Sequence, residues 1–287
     1  MASSLEKNRA IPLLDKAQKE GYGIPAMCCY NTEGILATVQ AAEAKNSPAM
    51  ILLFPWAINY ASSYLVHLAA EAAAAASVPV TVHLDHAQDP EIVKRAADMG
   101  GFDSIMIDMS HYEKEENLRL TAELTTYCHE RGIACEAEPG RIEGGEDGVG
   151  DTEDLEGLLT TVEDAHEFVN CGIDWLAPAF GNVHGNYGPR GIQLEYDRLQ
   201  RLFDAVGDKV RFVLHGADPF TKEIFGKCIG AGVSKININK VLNNPCQKVW
   251  AEKAGKAAFT SVIEEATSEM QKAVEGCCDM LGSTGKA

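Results

Sequence analysis

Residues 78–109 read VPVTVHLDHAQDPEIVKRAADMGGFDSIMIDM. Residues 78–84 form a short apolar run rich in β-branched side chains, which reads as a buried strand. Asp89-Pro90 is a helix-start pair. Apolar residues then recur at helical spacing as far as Met99, and Gly100 follows, where a left-handed stop favours glycine. Residues 104–109 form a second apolar run. The unit is strand, helix, strand, and it predicts two parallel strands joined by a crossover helix.

The same unit repeats in both directions along the chain. Strand candidates are 24–30, 49–54, 78–84, 104–109, 133–138, 174–180, 210–215 and 234–239. Helical patterns occupy 33–46, 60–76, 90–99, 114–131, 155–171, 196–206, 221–230 and 245–276, and Asp218-Pro219 is a second helix-start pair. The strands are almost continuously apolar, as parallel strands covered on both faces should be. Eight β/α units in about 250 residues predict an α/β fold of the (β/α)8 TIM-barrel class. The expectation is one domain over residues 1–287, with a mobile glycine-rich loop at about 140–154 and a C-terminal helical segment at about 245–280. A doubly wound open sheet is the alternative, but the first strand–helix junction lacks a GxGxxG turn.

Composition sets outer bounds. Of 287 residues, 46% are hydrophobic and 23% charged, which excludes disordered and fibrous classes. No apolar stretch approaches the roughly 18–20 residues that span a bilayer, and the first ten residues lack the apolar core of a secretory signal. The expectation is a cytoplasmic protein with no membrane partner. Nine cysteines without CxxC spacing read as reduced, mostly buried residues. The net charge of −17 speaks against nucleic acid as a partner. It also speaks against an anionic small substrate, unless the local charge of a site differs from that of the surface.

Barrel active sites lie at the C-terminal ends of strands. Asn31 follows the first strand and His83-Leu84-Asp85-His86 the third; Asp108 ends the fourth and Glu136-Ala137-Glu138 the fifth. The sixth runs into Gly181-Asn182-Val183-His184-Gly185, the seventh ends in His215-Gly216, and the eighth in Asn237-Ile238-Asn239-Lys240. Three imidazoles from three strands, His86, His184 and His215, form a zinc constellation with an open position. Asp85 beside them suits proton transfer. His83 shares a strand face with Asp85 and reads as packing or support. Asp108 and Glu138 could ligate the metal or orient its histidines. Residues 140–151, GRIEGGEDGVGD, fit no regular element and suggest an active-site loop that delivers Glu146. Phosphate sites in this fold lie after the seventh and eighth strands. There Gly216 and the 237–240 turn could offer backbone N–H groups and Lys240 a positive charge, while Gly185 after the sixth strand could allow close backbone approach.

These motifs together resemble a known family. HLDH at 83–86, EAEPGRIEGGED at 136–147, GNVHGNYG at 181–188 and VLHG at 213–216 are similar, in content and order, to the class II zinc-dependent fructose-bisphosphate and tagatose-bisphosphate aldolases. The resemblance runs from about residue 10 to 255. It implies His86, His184 and His215 as zinc ligands, with Asp108 and Glu138 as auxiliary metal-site carboxylates. It implies Asp85 and Glu146 as the proton-transfer pair, and Asn237 as the residue that holds the ketose. Asn31, Gly185, Gly216, Asp218, Asn239 and Lys240 would complete the substrate site. The implied cofactors are Zn2+ and a monovalent cation, Na+ or K+. The implied partner is a phosphorylated sugar, and members are commonly homodimers or homotetramers. The sequence departs from the family pattern at Asp218, where a phosphate-binding serine is usual, at Lys240 in place of threonine, and at Pro139, Glu143 and Pro55-Trp56.

The reaction this implies is reversible aldol cleavage of a ketose 1,6-bisphosphate, most simply fructose 1,6-bisphosphate. The products are dihydroxyacetone phosphate and glyceraldehyde 3-phosphate, as in glycolysis. A tagatose-bisphosphate or other ketose aldolase with an altered phosphate site, and an aldolase-like binding protein without turnover, are the alternatives. A Schiff-base route needs a buried lysine at a strand end. The strand lysines, Lys209 and Lys235, fall at or before strand starts and Lys240 falls past an end, so metal catalysis is expected. A metal-dependent hydrolase would carry an HxH pair on the first strand, and none is present. Residues 136–156 hold nine acids and one arginine, so much of the negative charge lies around the expected metal site.

Overall fold

The eight apolar runs form parallel strands, and they close on themselves. In the computed structural model, which describes residues 4–145, 157–189 and 191–287, the barrel strands are β1 (Ile24–Cys28), β2 (Ala49–Leu53), β3 (Val80–Ala87), β4 (Ser104–Ile107), β5 (Ala134–Ala137), β7 (Trp175–Leu176), β9 (Arg211–Leu214) and β10 (Val233–Ile238). Two short strands, β6 (Glu143–Gly144) and β8 (Val183–His184), pair with each other outside the barrel. The barrel order is β1-β10-β9-β7-β5-β4-β3-β2, closed and parallel throughout. The TIM-barrel expectation therefore holds. Closure leaves the barrel without a free sheet edge, and its strands are buried on both faces, as their near-continuous apolar sequence requires.

The helices are α1 (Ala10–Glu20), α2 (Thr32–Lys45), α3 (Pro55–Ala61), α4 (Tyr64–Ala75), α5 (Pro90–Met99), α6 (Lys114–His129), α7 (Val162–Asn170), α8 (Tyr196–Val206), α9 (Lys222–Gly230), α10 (Lys240–Lys253) and α11 (Phe259–Leu281). Asp89 caps α5 through a bond from Glu91 N at 2.9 Å, with Pro90 at the first helical position, as its sequence signals. Several expectations change, among them the pattern at 155–171, whose described residues are helical only over Val162–Asn170. The helical pattern at 60–76 is two helices, because Ser62, with φ 52°, breaks the chain between α3 and α4. The pattern at 245–276 is also two helices, separated after Lys253, and the first already begins at Lys240. Asp218-Pro219 does not start a helix. Thr221 caps α9 instead, and the Asp218 carboxylate reaches the first amides of α10.

Helix α1 was not expected at all. It packs Leu14 and Ala17, with Tyr22 just past its end, against Ala26, Met50, Trp175 and Val213, a cluster distinct from the helix-facing core. Asn8 anchors it. Its Oδ1 accepts from Ala10 N at 2.9 Å and Ile11 N at 3.1 Å, while its Nδ2 donates to the carbonyls of Asp103 at 2.7 Å and Gly132 at 2.8 Å. One side chain thus starts the helix and ties it to the loops that enter β4 and β5. Asn8→Ala removes the cap and strands two carbonyls, and should cost about 2 kcal/mol. In a chain of this length that lowers the melting temperature by about 4–8 °C. Calorimetry checks this, and catalytic constants should not move.

Candidate active site and metal centre

Strand alternation would send residues 85 and 86 to opposite faces. The structure brings both into the barrel mouth through a bulge in the strand. The β3–β4 register shifts between Leu84 and Ala87, and His86 adopts φ 44°, a left-handed conformation rare outside glycine. Local strain of this kind persists where surrounding contacts over-determine it. The contact is explicit here, since His86 Nδ1 lies 2.7 Å from Asp108 Oδ2 at the end of β4. Ser110 in turn donates to Asp108 Oδ1 from Oγ at 2.7 Å.

His184 comes from β8, and its loop is pinned from two sides. Gly144 of β6 pairs with His184, and with φ 91° it leaves no room for a Cβ against the His184 carbonyl. Gly216, with φ 70°, packs the same way against the Val183 carbonyl. Tyr187 Oη donates to Gly216 O at 2.8 Å and accepts from Val183 N at 3.1 Å. Asn182 Nδ2 donates to His215 O at 3.2 Å. The loops bearing His184 and His215 are therefore locked together. The reading that no regular element fits 140–151 is corrected at its start, where Glu143–Gly144 forms β6 and Arg141 bridges Leu158. Glu146 lies outside the described residues.

The three nominated histidines converge. His86 Nε2 and His215 Nδ1 are 3.1 Å apart, and His184 Nε2 is 3.3 Å from the same His215 Nδ1. All three rings are buried. Three imidazole nitrogens facing one point suit a borderline divalent cation such as zinc, so the donor set fits the implied metal. Two outer nitrogens are held by carboxylates: His86 Nδ1 by Asp108, and His215 Nε2 by Glu136 Oε1 at 2.8 Å. Asp108 and Glu138 lie close enough to His86 to form a second possible ligand group.

Asp85 Oδ2 accepts from Asn237 Nδ2 at 2.8 Å, and its Oδ1 has no hydrogen-bond partner among the described residues. Burial opposes its ionisation, yet His86, His83, His215 and Lys235 together hold it well below the usual carboxylate range. Glu138 is the opposite case, because burial and the neighbouring Asp108 charge push it well above that range. Asp108 and Glu138, whose carboxyl oxygens lie within 4.8 Å of each other, are thus driven to different protonation states, an arrangement typical of functional sites.

The remaining site candidates divide. Asn237 and Asn239 stand in the mouth with Gly216, but Asn31 is spent capping α2 through a bond from Gly34 N at 2.9 Å. Asn239 Nδ2 donates to Tyr30 Oη at 2.9 Å. Lys240 extends over Gly185, its Nζ 3.8 Å from where a Cβ would stand. The Asp218 carboxylate accepts from Asn239 N at 2.9 Å and Val241 N at 3.4 Å, and so occupies amides at the start of α10. The structure also brings in two residues to which the sequence reading gives no role in the site, Glu136 and Lys235. Lys235 lies inside β10, fully buried, with Nζ 2.8 Å from Glu136 Oε2. The reading of Lys235 as lying at a strand start is corrected accordingly. The alternation of Glu136 with Glu138, and of Lys235 with Asn237, was the available signal.

Burial resists a charge on His86, but Asp85 and Asp108 outweigh it and lift its pKa to about 10. A cation arriving at Nε2 must displace that proton. Apparent metal affinity should therefore rise with pH, about tenfold per unit between pH 6 and 9. Competition with a chelator across that range checks this, and pH-independent uptake contradicts it.

Comparisons with known proteins agree with the geometry. The family profile described as fructose-bisphosphate aldolase class-II matches residues 8–286. A fructose-bisphosphate aldolase from Streptococcus pneumoniae is 34% identical over 292 residues, covering 94% of this chain and 96% of its own. The crystal structure of a provisionally named fructose-1,6-bisphosphate aldolase from Coccidioides immitis superposes with a TM-score of 0.97 at 67% identity, covering 98% of this chain and 99% of that one. The YdjI aldolase of Escherichia coli K12 superposes with a TM-score of 0.84 at 30% identity, covering 97% and 98%. The barrel, the ordered motifs and these relatives agree, and the chain belongs to the class-II fructose-bisphosphate aldolase family.

Proposed function

We propose that the chain catalyses metal-assisted, reversible aldol cleavage of a ketose 1,6-bisphosphate, with fructose 1,6-bisphosphate the first substrate to test. The observation that carries this reading is the meeting of His86 Nε2, His184 Nε2 and His215 Nδ1 beside an ionised Asp85. A zinc ion bound there would supply Lewis-acid polarisation of the ketone carbonyl. Asp85, oriented by Asn237, accepts the C4 hydroxyl proton as the C3–C4 bond breaks and returns it in the reverse direction. Asn237 also faces the ketose. Glu146 exchanges the proton on the carbanion carbon, a role that rests on the family resemblance. Gly185, Gly216, Asn239 and Lys240 line the substrate, with Lys240 placed over Gly185 to meet a phosphate. The same resemblance supports zinc as the ion, a monovalent cation near the phosphate, and a cytoplasmic homodimer or homotetramer in carbohydrate metabolism.

Chelation should abolish cleavage and zinc restore it; activity that survives complete metal removal sinks the mechanism. Asp85→Ala should retain metal while turnover falls by about 10²–10⁴-fold. Loss of metal instead would make Asp85 a ligand.

Asp218 favours a second reading. Its carboxylate already fills amides that a phosphate would take at a helix start, which suits a ketose with a different group at that end. Asp218→Ser should then lower KM for fructose 1,6-bisphosphate at least about tenfold, since a like charge is removed from beside the phosphate. An unchanged KM discards this reading.

A further inference from the structure

Lys235 and Glu136 are both fully buried, and they come from β10 and β5, which β9 and β7 separate around the barrel. An ion pair in such a place is weak evidence for stability, because two apolar residues of similar volume often serve as well. Its connections suggest another purpose. Glu136 spends Oε2 on Lys235 Nζ at 2.8 Å and Oε1 on His215 Nε2 at 2.8 Å. A competing donor stands beside it. His83 Nε2 is 3.7 Å from both Glu136 Oε2 and Asp85 Oδ1, and has no hydrogen-bond partner among the described residues. The His83 ring is itself fixed by Nδ1, 2.8 Å from Ser104 Oγ. Without an ammonium on Oε2, the carboxylate could turn towards His83 and release His215. His215 Nε2 would then keep only Asn237 Nδ2, an amide donor 3.3 Å away, and the ring can carry its proton on Nδ1, the nitrogen that faces His86 and His184.

We propose that Lys235 is a positioning residue for the metal centre: it holds Glu136 Oε2, leaves Oε1 to His215 Nε2–H, and so keeps the His215 Nδ1 lone pair on the metal face. β10 then sets two of the four carboxyl groups of the site. Lys235 fixes Glu136, and Asn237, two residues on along the same strand face, fixes Asp85. This accounts for a buried lysine at the barrel centre in a chain whose reaction, as read above, uses no Schiff base.

The inference rests on the metal-centre reading, so the wild-type protein is titrated first with Co2+, with His184→Ala as the control for site binding. Lys235→Met should weaken Co2+ affinity about 10–100-fold, as loss of a ligand's outer partner typically does, and should alter the visible Co2+ absorption bands. Lys235→Arg should recover both. Because Lys235→Met leaves a buried carboxylate unpaired and could fail to fold, Lys235→Met with Glu136→Gln provides a neutral pair. It should fold yet remain weak in Co2+ affinity, since an amide can turn either its oxygen or its NH2 to the ring. Wild-type affinity and wild-type bands in either folded variant overturn the role of Lys235 alone. A wild-type protein whose Co2+ binding is untouched by His184→Ala overturns the metal centre and this inference together.

Discussion

Three imidazole nitrogens can share one point only if their protons are kept elsewhere. For two of the three rings the carboxylate–imidazole pairs Asp108–His86 and Glu136–His215 provide the place, each taking the ring nitrogen that faces away from the centre and leaving the other to a cation. Much of the mouth of the barrel follows from that constraint. The β3 bulge and the left-handed His86 turn one ring towards Asp108. Lys235 commits Glu136, and the glycines at 144 and 216 let the His184 and His215 loops pack backbone against backbone. A closed barrel makes such pairing possible, because β3, β4, β5, β9 and β10 deliver their C-terminal ends to one place.

The acidity of the chain is distributed to match. Asp85, Asp108, Glu136 and Glu138 are all buried within this mouth, and burying four carboxyl groups together is costly unless each is compensated. Lys235 and the histidines compensate three, which stay ionised. Glu138 sits beside Asp108 and is driven towards its neutral form. A net charge of −17 over the chain is therefore compatible with a site that receives a cation and, through it, an anionic substrate.

The strand–helix alternation was legible in the sequence because it rests on local periodicity, and the strand ends placed His86, His184, His215 and Asp85 together. What the sequence concealed depends on contacts between distant segments. Lys235 and Glu136 are 99 residues apart, and only closure of the barrel joins them. Asn8 anchors α1 to carbonyls 95 and 124 residues away. Asp218-Pro219 carries the chemistry of a local helix start, yet its carboxylate is claimed by amides of another helix. His86 could not be aimed from strand alternation, because the bulge that turns it is set by pairing with β4.

The most direct measurement is anomalous diffraction at the zinc edge from crystals of the zinc-loaded protein. One peak bounded by His86 Nε2, His184 Nε2 and His215 Nδ1 is expected, with Asp85 outside bonding distance. A peak among His83, Asp85 and Glu136 instead, or no peak at the three histidines, contradicts a metal centre organised by the two carboxylate–imidazole pairs.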